Sequence, residues 1–327
     1  MIEFEEILSG LWRFSIPLPD NPLRWLNCYV IRPEEGRALL IDTGFNRSEC
    51  LQSLSEGMAA LGLEPENTDV FVTHCHGDHV GCAGSLQDMG CRILMGRVDR
   101  EIEQTMRRGR EEFEKRAVAE GMPREIYELT LLNNHGRRFP SAAFTANELE
   151  DGDELDYGSY HLRCMMTPGH TPGHLCLYEK EKKILFLGDH VLFDITPNII
   201  AWPWMEDALG VYMENLRRVR NLPVDYPLPA HRKLGTVSLE QRVDQLLAHH
   251  EARLCEAEDI IRCSPGLNAY DVAGRMRWKI KASCWDDFPP GQKWFAFGET
   301  LAHLDRLVAS GRLERTVTDG VARYKVI

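Results

Sequence analysis

Thr73-His74-Cys75-His76-Gly77-Asp78-His79 decides the reading of this chain. Three imidazoles and a carboxylate fall within six residues, at the end of a strand-like run, DVFVTH (69–74). Packed so closely, they would compete for burial and repel one another when protonated unless a cation organises them. In an extended run His74 and His76 point the same way, because side chains alternate with a period of two. Gly77 then lets the chain turn, so that Asp78 and His79 address a second point nearby. The spacing suits two adjacent metal ions.

Four more clusters end strand-like runs: Ile41-Asp42-Thr43-Gly44, Thr167-Pro168-Gly169-His170, Leu187-Gly188-Asp189-His190 and Pro229-Ala230-His231. A lone strand-end His or Asp is more often a cap or a surface group than a ligand. Their order and company single these out.

Working outward, the 327 residues allow one large domain, or one with a small appendage, at ~150 residues per domain. Fifty acidic against 38 basic residues give a net charge of −12, which argues against holding nucleic acid by a global positive field. No stretch approaches the ~20 apolar residues of a membrane-spanning helix. The start, MIEFEEILSG, carries acids where a secretory signal carries a basic and then an apolar region, so the cytoplasm is the expected address. Ten cysteines without a C-x-x-C pair read as free thiols used as small buried hydrophobes.

Strand-like runs (LWRFSIP, NCYVI, ALLIDTG) and one amphipathic helix, 47–61, precede the histidine cluster. Residues 97–136 are charge-rich and spaced for helix, a solvated insertion by default and a lid as the sharper alternative. Strand texture returns over 160–232. Helices are expected at 239–262, 269–278 and 294–310, then a hairpin around Asp319-Gly320. The expected division is a catalytic domain, 1–238, and a small helical, winged-helix-like domain, 239–327. From 240 to 327 there are 13 Lys+Arg and 13 Asp+Glu. That balance favours a lid or homodimer role over nucleic-acid binding.

The clusters, in their order, resemble the metallo-β-lactamase superfamily. Its H-x-H-x-D-H motif is matched in full by His74, His76, Asp78 and His79, and its later His, Asp and His by His170, Asp189 and His231. The resemblance covers about residues 5–235. It implies an α/β (α+β) fold, the four-layer αββα sandwich, with metals at one edge. It also implies one metal on His74, His76 and His170, another on Asp78, His79 and His231, and Asp189 bridging. Asp42 would act from behind a ligand imidazole. The TPGHTPGH run and the aspartate at the bridge are similar to the glyoxalase II-type branch, whereas true lactamases use Cys there. The C-terminal end is similar to that of the beta-lactamase-like protein 2 branch. Two departures stand out. The last histidine sits in P-A-H-R where many relatives have a P-G-H-G-like sequence, and His76 stands where the oxygen-reducing diiron branch has Glu.

The implied cofactor is two divalent ions, zinc first and iron or manganese next. Two cations flanking one water would lower its pKa from about 15.7 toward neutrality. Asp78 would be both ligand and orienter of the attacking hydroxide. The expected substrate is a small ester-like molecule, a thioester first and a lactone or other ester second. The alternatives are an RNA or phosphodiester nuclease and a non-haem iron persulfide dioxygenase. His174 and His190 read as supporting or packing groups beside the ligands. Trp202 and Trp204, in FDITPNIIAWPW, and Arg232 are the candidate substrate-pocket residues. His135, His161, His249, His250 and His303 read as surface or structural.

Overall fold

Side-chain alternation along the strands sorts the apolar residues into two layers. This computed structural model describes residues 3–132, 138–235 and 237–327. The first sheet runs in chain order through β1 (Phe4–Leu8), β2 (Leu11–Pro17), β3 (Trp25–Ile31), β4 (Ala38–Ile41), β5 (Thr68–Val72), β6 (Arg92–Gly96) and β7 (Asn147–Leu149). The second holds β8 (Glu154–Tyr157), β9 (Tyr160–Met166), β10 (Leu175–Glu179), β11 (Ile184–Gly188) and β12 (Tyr226–Pro229), in spatial order β12-β11-β10-β9-β8.

Tyr29, Ile31, Leu39, Ile41, Phe71 and Leu94 of the first sheet share one apolar cluster with Leu162, Leu175, Leu177, Ile184 and Phe186 of the second. That cluster is the filling between the sheets. Their sequence neighbours, Val30, Leu40, Val70, Ile93, Cys176 and Leu185, belong to a second cluster. It includes Cys50, Leu54 and Met58 of helix α1 (Ser48–Ala60). The strands are buried on both faces, as sheets covered by helices must be. The seven cysteines from Cys28 to Cys176 are free and buried, while Cys255, Cys263 and Cys284 are exposed.

Topology gathers the strand ends. β4, β5 and β6 are parallel. β10 is antiparallel to both β9 and β11, and β12 is parallel to β11, so β9, β11 and β12 run the same way. The two sheets are stitched along one edge, by Leu175 N to Thr73 O (2.9 Å) and Asn27 N to Ala230 O (2.7 Å).

Short helices α2 (Gly77–Val80) and α3 (Ala83–Asp88) follow β5. The insertion folds as α4 (Arg97–Arg108), α5 (Glu111–Ala119) and α6 (Arg124–Leu132). Its expected solvation is corrected here. Ile102, Phe113, Ala117 and Tyr127 join the core, and Asp99, Arg100, Glu103 and Glu120 are buried. Arg100 is paired with Glu103 and Glu120 with Arg315, while Asp99 has no ion pair among the described residues and is satisfied by hydrogen bonds. His135 lies outside the described residues.

After α7 (Ala208–Arg220) come α8 (Leu239–Cys263), α9 (Ala269–Arg275), α10 (Pro290–Ala309) and the hairpin β13 (Leu313–Thr318) with β14 (Val321–Val326). α10 starts four residues before its expected start because Pro290 occupies a first-turn position, where its missing N–H costs nothing. α9 stops at Arg275, since Met276 is extended. Asp319 and Gly320 both have positive φ, 51° and 78°, the two-residue turn that matches strand twist. His250 and His303 form a buried pair, Nδ1 to Nε2 at 3.3 Å, whereas His161 and His249 lie at the surface.

Candidate metal centre

Every cluster singled out in the sequence arrives at the stitched edge. Thr73–His79 follows β5 and Asp42 follows β4. His170 follows β9, Asp189 follows β11 and His231 follows β12. Donor atoms of His74, His76 and His170 all lie within 4.8 Å of one another, as do those of Asp78, His79 and His231. Asp189 forms a third such group with His74 and His79. Its Oδ2 is 3.5 Å from His170 Nε2 and 3.7 Å from His79 Nε2, and its Oδ1 is 3.4 Å from His231 Nε2. It therefore touches both donor sets.

The hydrogen bonds behind the imidazoles settle which nitrogen carries the proton. His79 Nδ1 is 2.8 Å from Asp42 Oδ2, a carboxylate that only accepts. His170 Nδ1 is 3.0 Å from the carbonyl of Asn198, and His231 Nδ1 is 3.2 Å from that of Trp25. The single hydroxyl proton of Thr73 goes to Asp42, whose oxygens are 2.9 and 3.0 Å away, so Thr73 Oγ1 accepts from His74 Nδ1 at 3.0 Å. All four Nε2 atoms are then bare lone pairs aimed inward.

Three of those lone pairs point at another imidazole nitrogen. His79 Nε2 is 3.1 Å from His231 Nε2, and His74 Nε2 is 3.0 Å from His76 Nδ1. His170 Nε2 and Asp189 Oδ1 are buried with no hydrogen-bond partner among the described residues. Ligand atoms around a tetrahedral zinc, each about 2.05 Å from the ion, sit about 3.3 Å apart. The donor set fits a divalent cation in charge, in spacing and in its unmet valence.

Electrostatics split the imidazoles: burial favours the neutral ring at His74 and His76, whereas the carboxylates favour the charged ring at His79 and His231, the places where a bound cation would stand in for the proton. Burial and then the neighbouring imidazoles hold His74 well below its ordinary pKa, and burial with His170 pushes His76 down to about 3. For His79 burial pulls the same way, but Asp42, Asp189 and Asp78 outweigh it and raise its pKa. For Asp78 burial acts to raise the pKa, and His79 and His231 overcome it and hold the carboxylate ionised.

Asp42 sits at φ 63°, a left-handed conformation that costs energy in a non-glycine residue and places its carboxylate on both Thr73 and His79. Asp42→Asn removes that charge with little change of shape. It should weaken metal binding roughly 10–100-fold, read by chelator competition; unchanged affinity would mean the carboxylate only forms the turn.

His174 accepts from Asp189 N at 3.2 Å and donates from Nδ1 to Thr167 Oγ1 at 2.8 Å. A Cβ at Gly188 would stand 2.5 Å from its Nε2, so glycine is required there. His190 packs edge-on against Tyr212, ring centroids 5.3 Å apart, and neither ring nitrogen has a hydrogen-bond partner among the described residues. Trp202 is buried and stacks on His76, centroids 6.0 Å apart, while Trp204 beside it is 44% exposed. The Arg232 guanidinium donates to the carbonyl of Pro22 and lies 5.9 Å over the Trp25 ring.

Sequence reasoning missed three residues. Thr73 relays Asp42 to His74. Asp99 accepts from Cys75 N (2.9 Å), Thr171 Oγ1 (2.6 Å) and Gly173 N (2.6 Å), tying the His74–His79 segment to the His170 turn. Burial pushes its pKa up to about 6 against the pull of those bonds. Asn198 supports His170 through its carbonyl. Thr73 was visible inside the motif; Asp99 and Asn198 carried no signal in spacing.

The sequence profile of the Metallo-beta-lactamase superfamily matches residues 26–231, and that of a Metallo-beta-lactamase-like C-terminal domain matches 287–327. The lactamase-like protein adaB of Aspergillus niger is 27% identical over 259 residues, 77% of this chain, and the match spans 64% of that protein's length. Hydroxyacylglutathione hydrolase GloC of Haemophilus influenzae is 30% identical over 168 residues, 51% of this chain and 66% of that protein. A beta-lactamase domain protein from Burkholderia ambifaria superposes with a TM-score of 0.80 at 27% identity, covering 99% of this chain and 95% of that one. Among the described residues no helix is long and apolar enough to cross a membrane. The 26–231 match takes in well over half of the chain and all seven inward-facing donors, and on it the chain belongs to the metallo-beta-lactamase superfamily.

Proposed function

We propose that this protein is a metal-dependent hydrolase of small ester-like substrates, thioesters first and lactones or other carboxylic esters second. The observation that carries the reading is the pair of inward-facing donor sets joined at Asp189. His74, His76 and His170 would hold one divalent cation and Asp78, His79 and His231 the other, zinc being favoured by the imidazole-rich donors. When bound, the two cations would supply an acidified water as nucleophile and Lewis-acid stabilisation of the developing oxyanion. Thioester preference draws on the likeness to a hydroxyacylglutathione hydrolase.

The chain's own groups would do the rest. Asp78 and His76 are less enclosed than His74 and His79, which supports a role for Asp78 in orienting the incoming water. Trp202 covers His76, and with the half-exposed Trp204 and Phe113 it would wall the acyl side of the substrate. Arg232 would add a cation at the far rim. The proposed division falls near residue 238, and the part beyond it would be winged-helix-like. Three helices and a hairpin support that reading, with Tyr324 of β14 bridging to Leu267.

The test is elemental mass spectrometry on protein purified without added metal, followed by thiol release from model thioesters. About two zinc per chain and thiol release are expected. About one iron per chain with oxygen uptake on persulfides would replace hydrolysis with a redox reading.

A further inference from the structure

The segment 191–207, which leaves Asp189 and ends at the start of α7, is held from residues beyond 238. Arg242 of α8 donates to the carbonyls of Leu192 (Nε, 2.6 Å) and Ile195 (Nη2, 2.8 Å). The amide of Ala201 donates to the carbonyl of Gly298 on α10 at 3.2 Å. Asn198 Nδ2 donates to Glu299 Oε2 at 3.3 Å, and Arg306 Nη1 donates to Asp207 Oδ2 at 2.9 Å. Glu299 is fixed from behind by Arg253 Nε at 3.2 Å, and Arg253 by Glu256 (2.6 Å) and the carbonyl of Arg277 (2.9 Å).

The same segment carries the supports of His170 on its other side. The carbonyl of Asn198 takes the Nδ1 proton, and Trp202 Nε1 donates to the His170 carbonyl at 3.1 Å. Asn198 is therefore shared: its side chain is anchored to α10, and its carbonyl sets the tautomer of His170. A carbonyl points where its peptide plane is held, and an imidazole without a fixed acceptor on Nδ1 divides its time between tautomers.

We infer that Glu299 and Asn198 are positioning residues for the metal centre, through which the C-terminal helices hold His170 with its Nε2 turned inward. The inference rests on the proposal that His170 is a metal ligand. It gives the C-terminal region a part in building the site, beyond covering it.

The experiment titrates zinc into the metal-free full-length chain against a chromophoric chelator, for the parent, Glu299→Ala, Asn198→Ala and the double variant, with heat-unfolding midpoints alongside. Each single variant should weaken one of two zinc sites about 10–100-fold and leave the other unchanged. The double variant should be no weaker than the worse single, because both changes break one link. Asn198→Ala leaves the Arg253–Glu299 pair and α10 in place, so it keeps the test decisive if Glu299→Ala fails to fold. Two zincs bound normally by Asn198→Ala, or losses that simply add in the double variant, overturn the inference. A parent chain that does not bind two zincs overturns the metal reading and this inference with it.

Discussion

Asp189→Ala should bind no more than one zinc per chain and lose hydrolysis by roughly a thousandfold or more. Its carboxylate oxygens lie 3.4–3.7 Å from Nε2 atoms of both donor sets, His170 in one and His79 and His231 in the other. Removing it takes a negative charge from a pocket that brings together five imidazoles, and the cations would repel each other more strongly without it. Loss of one Lewis acid forfeits several kcal/mol of transition-state stabilisation, and each 1.4 kcal/mol is about tenfold in rate. His74→Ala should fall as far, since its ring lies 3.9 Å from that of His79 and 4.9 Å from that of His170. His249→Ala, at the surface, should change neither metal content nor rate. Two zincs retained in Asp189→Ala would end the bridging assignment.

Glu120→Ala should cost about 3–5 kcal/mol of stability, read as a lower urea midpoint. Glu120 closes α5 and is fully buried. Its Oε1 accepts from Arg315 Nε (3.0 Å) and Nη2 (2.8 Å), and its Oε2 accepts from Tyr324 Oη at 2.7 Å. Removing it strands a guanidinium and a buried hydroxyl between the insertion and the C-terminal hairpin, which is the costly way to break such a pair. Glu120→Gln keeps an acceptor without the charge and should fall between. A loss below about 1 kcal/mol for the alanine variant would show that water replaces the carboxylate freely.

What was legible in the sequence follows from how locally each feature is encoded. The strands that fill the sandwich announce themselves by composition, and Asp319-Gly320 by the positive φ that a tight hairpin requires. The histidine cluster is legible because so many imidazoles in six residues have few other uses. Asp99 and Glu120 were hidden for a physical reason. In a charge-rich helix a carboxylate that will be buried looks like one that will be solvated, because its partners, Thr171 and Gly173 or Arg315 and Tyr324, lie far along the chain. The grip of Glu299 on Asn198 spans 101 residues and likewise leaves no trace in spacing.

Each donor set draws from both sheets. His74, His76, Asp78 and His79 hang from the first sheet, and His170, Asp189 and His231 from the second. A cation bound there is a rivet through the two leaves of the sandwich. Since it binds only the assembled fold, its binding free energy becomes folding free energy. The folded fraction of the chain would then rise and fall with the concentration of free metal, so that withdrawing the metal would loosen the fold as well as empty the site.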